Sequence, residues 1–303
     1  MNKINKGLAL VLGTALISGI SVFLNKFAVA AISNSDVFTT VKNLAVGLIL
    51  TGLILLPIYF NKLKQVRPGD WLKLFLIGVI GGSIPFVLFF KGLSLTSASS
   101  AGLIHKSLFI WVSILAVWFL GEKIGRLQYL ALGLLFLGNF TMLGFKMFNL
   151  SSGELLVLAA SLMWAIEFII AKKVLANVAA EIVAWARMFF GSIILLGYLF
   201  FINQIGSLAI LNSYQWLWIA ISSILLLGYV LTWYKALAKL PAVTVTSILV
   251  IASPITSCLD LIYSHKINLY QLGGSALIIT AVILLIYLFK KINEPQTITE
   301  QFN

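Results

Sequence analysis

Apolar runs of about 20 residues, the length of helix that spans a hydrocarbon layer, recur along the chain near 8–31, 37–60, 71–90, 97–120, 127–146, 155–172, 182–202, 215–234, 242–264 and 269–289. Each is bounded by polar or Gly/Pro-containing turns, so the pattern predicts ten membrane-crossing helices joined by short loops. Beyond Lys291 it gives way to Asn293, Glu294, Pro295, Gln296 and Thr297, a composition too polar to build a core. The first run follows Lys3 and Lys6 and carries Ala28-Val29-Ala30, features shared with cleavable signals. Its length and its counterpart in the second half favour a retained helix.

The runs also repeat. Thr39-Thr40-Val41-Lys42-Asn43 aligns with Ala184-Trp185-Ala186-Arg187-Met188 at a shift of 145, and Asp70-Trp71-Leu72 aligns with Gln215-Trp216-Leu217 at the same shift. Phe90-Lys91-Gly92-Leu93 matches Tyr234-Lys235-Ala236-Leu237 at 144, Glu122-Lys123-Ile124 matches His265-Lys266-Ile267 at 143, and Lys26 matches Lys172 at 146. Apolar helices resemble one another by composition, so the near-constant offset carries the argument. Residues 1–146 form one five-helix unit, 147–291 a second, and 292–303 a polar tail. Five is odd, so the second unit enters the membrane from the opposite side. Inverted repeats that exchange conformations expose a midplane site first to one face and then to the other.

Composition agrees: 61% of the 303 residues are hydrophobic, 10% are charged, and the mean hydropathy is +1.06. Too little polar surface remains to clothe a soluble domain, and soluble enzyme folds are excluded. The net charge of +12 is spread between apolar runs without a dense basic patch, which argues against nucleic acid. Read as a topology signal, it places both termini in the cytoplasm of a cell whose cytoplasmic membrane the chain crosses. Only Lys91, Lys146 and Lys266 then fall on the far side. Cys258 is the sole cysteine and the two histidines lie far apart, so no disulfide or metal site is expected. No phosphate-binding G-x-x-x-x-G-K-[ST] loop occurs, and no cofactor is expected.

The stretch Gly19 to Lys26, its partner Trp164 to Lys172, the Leu120-Gly121-Glu122 turn, the run Tyr234 to Ala242 and Gln271-Leu272-Gly273-Gly274 resemble the EamA branch of the drug/metabolite transporter superfamily. The resemblance covers residues 5 to 290. It implies two inverted five-helix repeats around a central cavity that moves small metabolites, often outward. The chain departs from the family pattern at His265, where a Glu usually ends the fourth helix of a repeat, and in having no first-half proline to match Pro254.

Ionisable groups inside membrane helices are functional by default. Glu167 lies roughly 18 Å into its helix, with Ala160, Trp164 and Ala171 on the same face. It is a candidate for binding a substrate amine or a coupling proton; the alternative is a structural pair with Lys42, Lys106 or Arg187. His105 and Lys106 point about 100° apart, so one of them faces the cavity, as proton relay or carboxylate ligand, unless they are core groups. Trp164, Trp111, Trp233 and Tyr234 are candidates to line the cavity, packing being as good a reading for each. Pro254 is a hinge, a substrate contact or a fixed kink. Lys42 and Arg187, in matching positions, suit capping of a neighbouring helix or a lipid headgroup, with an anionic substrate as rival. Glu122, Lys26 and Lys172 read as structural or gating groups, and Asp260 as a cap for a neighbouring helix, with contact to cations as the alternative. Gly78, Gly81, Gly82, Gly273 and Gly274 permit close helix approach.

The expectation is a secondary active transporter for a small polar or amphipathic metabolite, with an amino acid or related amine among the candidates, working by alternating access; export and proton coupling are further expectations. A lipid-linked-substrate flippase shares the scaffold. A membrane enzyme built from His105, Glu122, Lys123 and Arg126 is disfavoured because these residues are spread over most of a helix.

Overall fold

Each long apolar run folds as helix because a chain in lipid must satisfy its backbone groups internally. The computed structural model describes residues 2–32, 34–144, 151–208 and 210–293. Ten crossing helices follow in order: α1 Lys3–Ile32, α2 Ser35–Ile54, α3 Pro68–Leu95, α4 Ala98–Leu120, α5 Arg126–Met142, α6 Ser152–Val174, α7 Ala180–Phe201, α8 Ser213–Leu237, α9 Ala242–Ser264 and α10 Leu269–Asn293. Nine are at least 18 residues long and strongly apolar; α5, with 17 residues, reaches the short end of the spanning range. Lys146, the 146/147 junction and the tail from residue 294 lie outside the described residues.

Local signals set the helix ends. Asn34 accepts from the backbone N–H groups of Asp36 and Val37 at 3.0 and 3.1 Å. Ser151 with Glu154 and Asn212 with Gln215 form capping boxes at the starts of α6 and α8. The second apolar run stops at Ile54 rather than near residue 60. There Pro57 starts a separate surface helix, Pro57–Lys64, that buries none of its residues.

Three crossings are interrupted. In α3, Gly78–Ser83 forms a wider π turn, and Pro85, four residues after Gly81, has no N–H to offer the Gly81 carbonyl. The helix α4 breaks at Ser107 and α9 at Val250–Ile251, positions that correspond in the repeat. The α9 break lies where Pro254 cannot donate to the Val250 carbonyl, which accepts instead from the Ser253 N–H at 2.9 Å. Its α4 counterpart forms without a proline; there Asn139 of α5 donates to the Leu103 carbonyl at 3.1 Å.

Packing follows the repeat. Helix α1 lies against α8 and α9, while α6 lies against α3 and α4; α2 pairs with α7 and α5 with α10. Exchanging the halves reproduces this list, so the fold is two inverted five-helix repeats about a pseudo-twofold axis. Small residues permit the closest approaches. A side chain on Gly82 would meet the Arg187 carbonyl, and one on Gly191 would meet Gly82. Gly274 and Gly138 play the same part between α10 and α5, but Gly273 faces open space, so close packing there falls to one glycine of the pair.

Candidate central cavity

Matching lysines brace the two halves in the same way. Lys26 Nζ donates to the Leu93 carbonyl at 3.0 Å and to that of Thr96, and Lys172 Nζ donates to the Leu237 and Leu240 carbonyls at 2.6 and 2.7 Å. Each lysine satisfies free carbonyls where α3 or α8 ends. The helix-capping role expected of Lys42 and Arg187 thus belongs to Lys26 and Lys172.

Glu122, at the end of α4, accepts from the Ala242 and Val243 N–H groups at 2.6 and 3.0 Å. It closes the start of α9 against α4 at the face from which α1 begins, where a carboxylate meets the positive end of a helix. At the far face the arrangement differs. His265 adopts φ 55° and occupies the left-handed terminal position that Gly121, at φ 65°, holds in α4. The helix end is therefore displaced by one residue relative to the Glu122 match. There Asp260 accepts from Ser99 Oγ at 3.1 Å.

Between these faces lies a cavity of about 60 Å³ bordered by Ser18, Ser21, Asn25, Lys42, Phe86, Phe89, Phe90, His105, Trp164, Phe168, Arg187 and Tyr229, among others. That volume holds a few water molecules, so admitting a solute requires the helices to move. Trp164 donates to the Gly81 carbonyl at 2.9 Å, and its ring lies 4.8 Å from His105 and 5.3 and 5.5 Å from Phe86 and Phe89. His105 borders the cavity, and its Nδ1 has no hydrogen-bond partner. Lys106 turns aside and donates to Ser18 Oγ at 2.7 Å.

Arg187, 2% exposed, donates through Nε to the Gly81 carbonyl at 3.1 Å and through Nη1 to Tyr234 Oη at 3.3 Å. Tyr234 Oη donates to Glu167 Oε1 at 2.6 Å, and Glu167 Oε2 stands 3.7 Å from Arg187 Nη1. The Gly81 carbonyl is free to receive both Trp164 and Arg187 because of the π turn and Pro85. Glu167 is fully buried, packs against Gly81 and lies behind the bordering residues rather than among them. Of the partners expected for it, Arg187 is the one found.

Lys42, 1% exposed, holds its ammonium 3.4 Å from the centroid of Phe90 and 5.2 Å from that of Phe86; Arg187 flanks the same Phe86 ring at 5.5 Å. Both cations border the cavity and are buried within the helix bundle rather than presented on its outer surface. Of the residues expected at the cavity, Trp164 and His105 border it, whereas Glu167, Lys106 and Tyr234 are buried behind its border and Trp111 and Pro254 lie elsewhere. Trp111 is 37% exposed because it sits beyond the Ser107 break on the outer side of α4. Pro254 borders a separate recess with Cys258, Asn268 and Gln271, since the break it causes turns it toward α10. Trp233 is enclosed by Phe168 and Tyr229. Phe86, Phe89 and Phe90 went unrecognised, although their i, i+3, i+4 spacing marks one helix face.

The family model described as the EamA-like transporter family matches residues 5–144 and again 151–287. No match is found among curated proteins. Twenty-eight chains of solved structure are similar. One of them, a protein of known crystal structure, is 14% identical with a TM-score of 0.68, the match covering 92% of this chain and 98% of that one. At that identity the likeness concerns the fold.

Proposed function

The chain belongs to the EamA-like transporter family, membrane transporters of the drug/metabolite transporter superfamily, and from that membership we propose that it carries a small amphipathic metabolite across the cytoplasmic membrane by alternating access. The observation that carries this reading is the buried cavity between repeats of opposite orientation, bordered by aromatic rings and two cations. Glu122 holds one face closed, and the chemically different Ser99–Asp260 contact engages the other. Such contacts suit closures that break in turn.

The excess of basic residues on one side of the helices supports cytoplasmic termini. Glu167, buried beside Arg187 and Tyr234, is the group we assign to proton coupling. The bordering residues include no carboxylate, so an amine headgroup has no acidic partner there. A flippase needs cations along an opening to lipid, whereas Lys42 and Arg187 are enclosed.

The test is counterflow of radiolabelled solutes in proteoliposomes, with and without an imposed pH gradient. We expect saturable exchange that responds to the gradient, and Glu167→Gln to abolish the response while the protein still inserts. Absence of exchange for every metabolite in a broad panel contradicts transport, and an unchanged gradient response in Glu167→Gln contradicts the coupling role.

A further inference from the structure

The cavity region is electrically unbalanced. Lys42, Lys106 and Arg187 are all buried, and Glu167 is the carboxylate buried beside them. Among the described residues Glu167 pairs with Arg187, and Lys106 has Ser18. Lys42 makes no hydrogen bond through its side chain and no ion pair there; its surroundings are the rings of Phe38, Phe86 and Phe90. Aromatic faces offset part of the cost of burying a cation, but an ammonium without a counter-ion in low dielectric remains unfavourable.

The repeat shows which group is absent. The shift of 145 carries Lys42 onto Arg187, and 144 carries Phe90 onto Tyr234. The shift of 146 that carries Lys26 onto Lys172 also carries Ser21 onto Glu167. In the second half the guanidinium lies 5.8 Å from the Tyr234 ring, and the tyrosine hydroxyl links it to the Glu167 carboxylate. The first half keeps the cation and the ring. It lacks the hydroxyl, since Phe90 has none, and has Ser21 where the acid stands. Ser21 and Lys42 both border the cavity. Ser21 Oγ accepts from Asn25 Nδ2 at 3.0 Å, which leaves its own hydrogen free to donate.

We propose that the transported solute supplies this carboxylate: a monocarboxylate whose anionic group pairs with Lys42 and Ser21 and whose apolar or aromatic body lies among Phe86, Phe89 and Trp164. The site mirrors the internal Glu167–Arg187–Tyr234 cluster, with the solute taking the place of the acid. The proposal rests on the transport reading and specifies the cargo.

The test is calorimetric titration of the purified full chain with acetate, 3-phenylpropionate, 3-phenylpropionamide, 3-phenylpropylamine and phenyl phosphate. 3-Phenylpropionate is expected to bind about tenfold or more tightly than its amide and the amine, as a charge-assisted contact requires. Lys42→Met erases that preference, and Lys42→Arg keeps it. Ser21→Asp, which installs the absent acid, abolishes binding of the carboxylate and raises the melting temperature. The proposal is overturned by equal binding of acid and amide, by tighter binding of the amine or of phenyl phosphate, by no binding of either acid, or by a preference that survives Lys42→Met or Ser21→Asp. Counterflow separates the two readings: anion-selective binding without exchange of any solute contradicts transport alone, and exchange without acid selectivity contradicts this proposal alone.

Discussion

His265 holds a left-handed backbone at the exposed end of α9, a conformation that costs a side-chain-bearing residue about 1 kcal/mol or more. His265→Gly should therefore stabilise the protein by about 1 kcal/mol, read as a higher midpoint of thermal unfolding in detergent; a lower midpoint would mean the imidazole contributes a contact. At Tyr234 the expectation is opposite. Tyr234→Phe removes the hydroxyl joining Arg187 to Glu167 and should cost about 2 kcal/mol, as for other hydrogen bonds to charged groups. The same unfolding measurement checks it. At this scale Glu167, Lys42 and Arg187 stand out in the sequence, because charge within apolar runs is conspicuous, and the structure buries all three. The sequence did not reveal which residues border the cavity. Trp111 and Trp164 look alike in the sequence, and only the azimuth of each helix, altered in α4 by the break at Ser107, separates an outward ring from an inward one.

The ten helices were legible as elements, since apolar length is a strong signal in a bilayer. Their interruptions were less so. Pro254 announces the break in α9, but the matching one in α4 contains no proline; beside it Asn139 reaches across from α5 to the Leu103 carbonyl, a contact without local signature. The π turn was visible only as the glycines that compose it. Because Gly82 meets the α7 backbone directly, Gly82→Ala should separate α3 from α7 and cost roughly 2–3 kcal/mol, the upper range for overpacking. A protein with unchanged thermal stability would refute that contact. Glu122 tests the link between α4 and α9. Glu122→Ala exposes two N–H groups at the start of α9 and should cost about 1–2 kcal/mol. It should also increase labelling, from the N-terminal face, of Thr246→Cys in a Cys258→Ser background. Unchanged labelling would mean that Glu122 does not hold that face shut.

Across the whole molecule, the near-constant sequence shift became a packing symmetry in which exchanged helices have exchanged neighbours. Lys26 and Lys172 make equivalent contacts in the two halves, while the cavity groups diverge. Symmetry supplies the frame for a motion, and its local breakdown at Ser21 and Glu167 supplies a site with a preferred charge. The most direct measurement is labelling of a cavity cysteine, Ser21→Cys in the Cys258→Ser background, by a membrane-impermeant thiol reagent applied to either side of oriented vesicles. The account predicts labelling from both sides, and after cross-linking residues 122 and 243 labelling from the far face alone. Labelling from one side only in the free protein, or from neither, would contradict it.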